Sequence, residues 1–156
     1  MVTLKPRLAG RSDLATVVRC TRAAYEKFVA RLGYEPKPMG TDYSGWIDEG
    51  RVWIVERDQA AIATLVLLPE NERLLIYSVA VAPEHQGQGY GRGLMAFAET
   101  QARSFGTPRI VLYTNEKMTE NIQFYETLGY LRYDRRPHPR VAGSWVVYMS
   151  KTVSLE

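Results

Sequence analysis

The sequence has few of the residues that hold disulfide-bonded or metal-bound proteins together. Its 156 residues include one cysteine, Cys20, and two histidines. One cysteine excludes an internal disulfide and a zinc site built from several cysteines. Because Cys20 stands within a helical pattern, we expect it to pack as a small buried residue.

Long apolar runs and a strong charge imbalance are also missing. No apolar run approaches the roughly 20 residues of a membrane helix, and the charged N-terminal segment, with Lys5, Arg7 and Arg11, has no apolar core of a signal peptide. These features predict a cytoplasmic protein with no membrane partner. The net charge of +3 suits an anionic ligand, but it is too small to indicate a nucleic-acid partner.

The length and composition are ordinary for a globular domain. Apolar residues make up 46% of the sequence and charged residues 24%, and neither internal repeats nor low-complexity segments occur. We therefore predict a single domain over residues 1–156, in which residues 155–156 are either native or a cloning remnant.

The stretch from Val79 to Arg92 carries the strongest functional signal; it reads Val-Ala-Val-Ala-Pro-Glu-His-Gln-Gly-Gln-Gly-Tyr-Gly-Arg. The residues before it predict a strand over Leu74–Val81 that ends near Pro83. Alternating glycines follow, and apolar residues at helical spacing then predict a helix over Gly91–Ser104. A glycine loop at a helix N-terminus presents backbone N–H groups to an anion, typically a phosphate.

Two better-known phosphate-binding motifs do not fit this loop. A P-loop needs a Gly-Lys pair, which the sequence does not contain. The dinucleotide fingerprint G-x-G-x-x-G/A fails in both registers, because its last position falls on Arg92 or on Leu94. A plain glycine turn remains as the alternative, although it explains one or two glycines better than four.

The periodicity along the chain predicts a mixed sheet of the α/β class. In order, we expect a strand over residues 2–8, a helix capped by Ser12 or Asp13 and ended by Gly33, a loop over Gly33–Gly45, and a short helix over Ser44–Glu49. Next come strands over Arg51–Glu56 and Ala60–Leu68, joined by a turn at Asp58-Gln59, and then the Leu74–Val81 strand and its helix. The last predicted elements are a strand over Pro108–Tyr113, a helix capped by Thr119 and ended by Gly129, and strands over Tyr130–Tyr133 and Trp145–Ser150. The strand–helix–strand crossover makes Leu74–Val81 and Pro108–Tyr113 parallel. The result is about seven strands with three to four helices on both faces of the sheet.

Two motifs resemble those of the GNAT superfamily of N-acetyltransferases. Residues 86–91, Gln-Gly-Gln-Gly-Tyr-Gly, resemble its [Q/R]-x-x-G-x-[G/A] signature, and residues 121–130 resemble its FY-x-x-x-G-[F/Y] segment. The predicted order of elements is also similar to the GNAT order, from Leu4 to Lys151. This resemblance implies the GNAT fold and an enzyme that moves an acetyl group from acetyl-coenzyme A to a primary amine of a small molecule or a peptide. It further implies direct transfer in a ternary complex, no metal, and a homodimer as a family-level expectation.

The resemblance also assigns roles to residues. The pyrophosphate of the cofactor would be held by the backbone N–H groups of Gln86, Gly87, Gln88, Gly89, Tyr90, Gly91 and Arg92. A bulge in the strand Val79, Ala80 and Val81 would free backbone groups for the pantetheine arm and the thioester oxygen. Tyr125 matches the general acid that protonates the leaving thiolate, and Asn121, one helical turn earlier, would reach the cofactor arm. The alternative for Tyr125 is a helix tyrosine packed on the sheet.

The sequence departs from the family pattern in two places. Met118 stands where many members carry an asparagine, so the match to the family pattern supports the role of Asn121 less than it supports the role of Tyr125. The segment Ile76–Ser78 has no carboxylate where many members have a glutamate that serves as general base. Candidates to assist are Glu49, Glu120, His138, and Tyr77 acting through water, and the spacing selects none of them. We expect His85, beside the loop, to be a solvated loop residue.

The acceptor and the class of function stay open at this point. The loop Gly33–Gly45 is either an acceptor-binding lid or a surface connector, and the basic loop Arg135–Arg140 either is solvated or contacts an anionic cofactor group. Aromatic residues suggest an amphipathic acceptor; they are Tyr34, Tyr43, Trp46, Tyr77 and Trp145. The competing classes are a non-catalytic acyl-coenzyme A sensor of the same fold and, more weakly, a nucleotide- or nucleic-acid-binding module.

Overall fold

The computed structural model describes residues 4–155, and within them it contains seven strands and five α-helices. In chain order these are β1 (Arg7–Leu8), α1 (Leu14–Tyr25), α2 (Val29–Leu32), α3 (Ser44–Asp48), β2 (Val52–Arg57), β3 (Ala60–Glu70), β4 (Arg73–Val81), α4 (Tyr90–Ser104), β5 (Arg109–Asn115), α5 (Thr119–Thr127), β6 (Leu131–Pro137) and β7 (Trp145–Thr152). The strands form one sheet in the order β1-β2-β3-β4-β5-β7-β6. Since β4 and β5 are parallel and β7 is antiparallel to β5, the predicted mixed sheet is confirmed.

The chain divides into two compact units. The N-terminal unit consists of the described part of Met1–Leu68 together with Tyr77–Ala98, and the C-terminal unit consists of Pro69–Ile76 together with the described part of Glu99–Glu156. The single-domain expectation is not tested by this division and stays a prediction.

The N-terminal unit is built around a cluster of buried apolar side chains. Its buried members are Ala9, Val17, Tyr43, Ile47, Val52, Ile54 and Val66. The predicted tight turn between β2 and β3 is confirmed, because Asp58 and Gln59 have φ values of 52° and 66°, as a two-residue turn that matches strand twist requires. Gly33, at φ 83°, ends α2 as predicted.

Two predictions for the start of this unit are wrong in their extent. The first strand covers only Arg7–Leu8, with Arg7 opposite Ile54; Pro6 has no N–H group to donate, and residues 2–3 of the predicted strand lie outside the described residues. The single long helix is instead α1, a 3-10 turn over Glu26–Phe28 and α2. This break, together with α3, raises the helix count above the three to four expected.

Asp13 does not cap α1 with its side chain. It lies at the N-cap position without a side-chain capping bond. Its carboxylate instead accepts the Gly10 N–H at 2.8 Å and pairs with the Arg7 guanidinium at 2.9 Å. The pair with Arg7, together with the Gly10 N–H, lowers the pKa of Asp13 to about 2.

In the C-terminal unit β4 and β5 run side by side, with Leu74 beside Ile110 and Leu75 beside Val111. Gly129, at φ 94°, follows α5 and ends it as predicted. The predicted cap at Thr119 is wrong: Met118 holds the N-cap position, and the Thr119 hydroxyl donates to the Glu120 carboxylate at 2.9 Å.

The basic segment Arg135–Arg140 is only partly a loop. Its first three residues belong to β6, which pairs with β7 up to Pro137 opposite Trp145. A proline is tolerated there because β6 is the edge strand of the sheet. No helix within residues 4–155 is both long and apolar enough to cross a membrane.

Candidate active site

The glycine loop lies in the N-terminal unit, between β4 and α4. After a 3-10 turn over Pro83–His85, Gly87 and Gly89 adopt φ values of 75° and 91°, which side chains other than glycine rarely tolerate. The Gly93 N–H donates to the Gly89 carbonyl at 3.0 Å and makes the first bond of α4. The N–H groups of Tyr90, Gly91 and Arg92 precede that bond and therefore have no partner within the helix. The sequence becomes an exposed loop whose backbone donors lie at the positive end of a helix of 15 residues.

Hydrogen bonds to three other elements hold this loop in place. The Gln86 amide donates to the Val81 carbonyl at 2.9 Å and accepts from the Lys27 ammonium at 3.0 Å. The Tyr90 hydroxyl accepts from the Arg57 guanidinium at 3.1 Å. Two cations thus approach the loop without a carboxylate in these contacts, which adds to the positive potential of the helix end.

His85 differs from its expected role as a solvated loop residue. Its ring is half-buried and stands edge-on to Tyr90, with the centroids 6.1 Å apart. The Nδ1 atom is buried and has no hydrogen-bond partner among the described residues. A buried polar atom without a partner is costly, so the packing of the His85 ring beside Tyr90 leaves one polar atom unsatisfied next to the loop.

The end of β4 is held by a buried tyrosine. The Tyr25 hydroxyl and the Ser78 hydroxyl lie 3.4 Å apart, and burial raises the pKa of Tyr25. Ala80 is buried, and the Ala82 N–H donates to the Ile62 carbonyl at 2.8 Å, so that β4 stays paired with β3 past its last residue. The predicted bulge over Val79–Val81 stays a prediction, and β4 runs as one strand through Val81.

Three of the five aromatic residues singled out for the acceptor form one group in the N-terminal unit. The ring centroids of Trp46 and Tyr77 are 4.7 Å apart, and those of Tyr43 and Tyr77 are 6.5 Å apart. The Tyr77 hydroxyl lies 2.6 Å from the Thr41 hydroxyl, which donates its proton to the Lys37 carbonyl at 3.0 Å. Because a threonine has one hydroxyl proton, Tyr77 is the donor in its bond with Thr41.

The segment between α2 and α3, considered as a lid, is fastened to the core. The Arg22 guanidinium donates to the Glu35 carboxylate at 2.5 Å and to the Met39 carbonyl at 2.9 Å. The Tyr43 hydroxyl donates to the Pro38 carbonyl at 2.6 Å, and Met39 and Tyr43 are almost fully buried. These contacts favour the connector with packing tyrosines over an open lid.

Tyr125 and Asn121 lie on α5 in the C-terminal unit, one helical turn apart. Tyr125 is 7% exposed, and its ring lies 5.6 Å from that of Phe124 and 6.1 Å from that of Tyr130. Asn121 is half-buried. The helix therefore gives both side chains the common face that the sequence predicted, and their catalytic and cofactor-binding roles stay predictions.

The candidate bases are not equivalent in the structure. The Nδ1 atom of His138 accepts the N–H groups of Arg140 and Val141, both at 3.1 Å, so this atom shapes the loop between β6 and β7. Glu120 and Glu49 are both exposed, and the Glu120 carboxylate accepts a hydrogen bond from the Thr119 hydroxyl. No carboxylate is thus singled out by burial as a general base.

The basic residues around β6 are largely paired with acids. Arg135 binds Glu116 at 2.8 Å and lies over the ring of Trp145, and Arg136 binds Asp134 at 2.7 Å. The pKa of Glu116 is lowered by its bond with Arg135. The pair of Arg135 with Glu116 joins residues 19 positions apart in sequence and could not be predicted from the basic run alone.

Cys20 packs as expected. It is 7% exposed, and burial raises the pKa of its thiol to about 11. Within the described residues, no three histidine, cysteine, aspartate or glutamate side chains are grouped as a metal site.

The chain was compared with known proteins. The sequence model of the acetyltransferase (GNAT) family matches residues 20–130. The chain is 32% identical over 89 residues to a mycothiol acetyltransferase of Thermomonospora curvata, covering 56% of this chain and 30% of that protein. It is 34% identical over 73 residues to a streptothricin acetyltransferase of Streptomyces lavendulae, covering 47% of this chain and 39% of that protein.

These matches thus span less than two thirds of the length of the curated relatives. Among solved structures, the PaiA N-acetyltransferase of Thermoplasma acidophilum in complex with coenzyme A superposes with a TM-score of 0.80 at 17% identity, covering 97% of this chain and 99% of that chain. This last similarity concerns the fold alone.

Proposed function

Because the chain belongs to the GNAT family of acetyltransferases, we propose that it transfers the acetyl group of acetyl-coenzyme A directly to a primary amine of a small molecule or a peptide. The observation that carries the proposal is the exposed glycine loop, with two positive-φ glycines, at the N-terminus of α4. Such a loop binds the phosphates of a ligand through backbone N–H groups.

The residues of the loop fit a coenzyme A pyrophosphate. A Cβ atom added at Gly87 would meet no other atom, so the loop is open on this side. Lys27 and Arg57 contribute positive charge through their contacts with the loop. When bound, the cosubstrate supplies an activated acetyl thioester.

The chain's own residues take the remaining roles. Residues 86–92 hold the pyrophosphate and so orient the cosubstrate. Holding two reactants in the right orientation supplies a large part of the rate acceleration in a reaction between two bound molecules. Val79, Ala80 and Val81 offer backbone groups to the pantetheine arm, and Asn121 is assigned to the same arm. The Tyr125 hydroxyl donates a proton to the departing thiolate, as a positioned general acid does.

The acceptor amine has to be a neutral free base when it attacks. In the N-terminal unit, the half-buried rings of Trp46 and Tyr77 together with the Thr41 hydroxyl are suited to an acceptor with both apolar and polar parts. The relatives are named for different compounds, mycothiol and streptothricin, so their names do not select one acceptor for this chain.

The cofactor assignment is tested by ligand-induced stabilisation. We expect coenzyme A and acetyl-coenzyme A to raise the melting temperature, NAD and ATP to raise it less, and Gly89→Asp to abolish the coenzyme effect. A carboxylate at Gly89 would strain a backbone at φ 91° and repel phosphate. Equal stabilisation by all four ligands, or unchanged calorimetric affinity of the variant, would refute the assignment.

The second candidate is a non-catalytic acyl-coenzyme A sensor. It is favoured by the burial of Tyr125, because an exposure of 7% is also typical of a tyrosine that only packs against its neighbours. A screen of amino acids, polyamines, aminoglycosides and peptide N-termini, read by release of free thiol, separates the two. Turnover on any amine supports the enzyme, and binding without turnover supports the sensor.

A further inference from the structure

A cleft in the C-terminal unit has a composition that none of the roles above uses. One cavity of about 540 Å³ is lined by residues that include Arg73 and Arg109, and an adjoining one of about 180 Å³ is lined by Arg73 together with Tyr113, Tyr133 and Tyr148. We call these five residues the Tyr/Arg cleft. The two cavities adjoin because they share Glu70 and Arg73. Leu75 and Val111, which are neighbours in register, line the smaller one.

The tyrosines form a continuous aromatic wall. The ring centroids of Tyr113 and Tyr148 lie 5.7 Å apart, and those of Tyr133 and Tyr148 lie 6.2 Å apart. Tyr113 and Tyr133 keep 38% and 43% of their surfaces exposed. A planar ring placed against them would cover this aromatic surface and gain stacking contacts.

The arginines at the cleft differ in their charge balance. Arg73 is neutralised by Glu70 at 2.6 Å, and Arg136, which also lines the smaller cavity, is neutralised by Asp134 at 2.7 Å. Arg109 is half-buried and stacks over Tyr133 at 4.8 Å, and within residues 4–155 it takes part in no ion pair. Glu72 also lines the larger cavity, but it is exposed to water, which screens its charge.

We propose that the Tyr/Arg cleft binds a small aromatic carboxylate. Its ring would lie against Tyr113, Tyr133 and Tyr148, and its carboxylate would pair with the edge of the Arg109 guanidinium. Stacking on Tyr133 fixes the guanidinium plane, which favours two parallel hydrogen bonds to a planar anion. One uncompensated positive charge matches a carboxylate better than a doubly charged phosphate. The larger cavity has the size of an ordinary ligand pocket.

The experiment uses the full chain and three probes that separate charge from aromaticity. These are phenylacetate, phenethylamine, which carries the same ring with the opposite charge, and cyclohexylacetate, which carries the same charge without the aromatic ring. Saturation-transfer NMR and calorimetric titration report binding directly, so the result does not depend on acetyl transfer. We expect phenylacetate to bind and cyclohexylacetate to bind several-fold more weakly. Phenethylamine should not bind at the Tyr/Arg cleft; if this primary amine binds at an acceptor site, its affinity should be the same for Arg109→Gln and Tyr133→Leu as for the wild type.

Variants locate the site. Arg109→Gln should weaken phenylacetate binding roughly tenfold or more, the usual worth of a charged hydrogen bond, and Tyr133→Leu should weaken it several-fold. Arg140→Gln is the matched control, because it removes the same charge from an exposed residue outside the cleft. Arg109→Lys keeps the charge but lacks the planar guanidinium, so it should weaken phenylacetate binding less than Arg109→Gln does. This variant also tests the site if Arg109→Gln does not fold.

Four results would overturn the proposal. The first is equal binding of phenylacetate by the wild type and by Arg109→Gln, or binding of phenethylamine that Tyr133→Leu weakens. The second is the absence of binding by any probe at roughly 10 mM. The third is a dimer in analytical ultracentrifugation that Arg109→Gln dissociates, since a second copy of the chain would then cover the cleft. Preference for single-stranded RNA over phenylacetate in competition would likewise reassign it.

Discussion

Tyr130 is the residue at which a conservative substitution should raise stability. Its side chain is 1% exposed, and its hydroxyl has no hydrogen-bond partner among the described residues. Burial, followed by the nearby Glu99 carboxylate, raises the pKa of Tyr130, so the phenol stays protonated near neutral pH. The fold therefore carries a neutral hydroxyl that has given up its bonds to water and gained none in the protein.

The expected magnitude follows from that hydroxyl. Leaving a buried polar group unpaired costs about 1–3 kcal/mol, while Phe in place of Tyr130 keeps the ring and its packing beside Tyr125. Tyr130→Phe should therefore raise the free energy of unfolding by about 1 kcal/mol, which corresponds to about 2–4 °C in melting temperature for a chain of this size.

Tyr43→Phe is the matched control. Tyr43 is also 1% exposed, but its hydroxyl donates to the Pro38 carbonyl at 2.6 Å. This second substitution leaves a carbonyl unpaired and should lower the free energy of unfolding by about 1–2 kcal/mol. Urea unfolding of both variants, followed by circular dichroism, gives the comparison. A loss of stability in Tyr130→Phe would refute the reasoning, because it would show that the hydroxyl makes a favourable bond.

Two further predictions concern catalysis and acid stability. Tyr125→Phe should lower kcat by roughly 10²- to 10⁴-fold with the affinity for acetyl-coenzyme A little changed, if the hydroxyl is the general acid; a variant that keeps more than about half of the activity removes Tyr125 from the mechanism. Asp13→Asn should lower stability near neutral pH, because the folded-state pKa of Asp13 is about 2 against an ordinary 3.8 and the ionised form stabilises the fold above that ordinary value. The difference between the variant and the wild type should shrink as the pH falls from 3.8 through about 2 in thermal melts; a difference that stays constant over this range would exclude the ion pair as its cause.

Sequence patterns predicted the features whose causes are local. Gly33 and Gly129 end helices because the left-handed conformation favours glycine at those positions, and the glycine loop follows from consecutive residues. The residues Asp58-Gln59 likewise predict the turn between β2 and β3. In each case neighbouring residues alone determine the backbone.

Features that depend on distant residues could not be predicted from the sequence. The local run of basic residues predicts that Arg135 lies in a loop, yet it lies in a strand and pairs with Glu116, 19 residues earlier in the chain. The Tyr/Arg cleft exists because the register of β5, β6 and β7 places Tyr113 and Tyr148 side by side. His138 turned out to shape its own loop through Nδ1, which depends on the path of the following residues.

The hydrogen bonds from Tyr77 to Thr41 and from Thr41 to the Lys37 carbonyl point in one direction. Along this row, a proton given up by Tyr77 passes to Thr41 and ends at a main-chain carbonyl, which is a very weak base. The row is therefore a poor route by which to carry a proton away. We expect an acceptor amine that binds beside Tyr77 to lose its proton to water or to arrive already neutral. The acetylation rate at low acceptor concentration should then rise with pH up to the acceptor's own pKa, and change with the acceptor rather than with the enzyme.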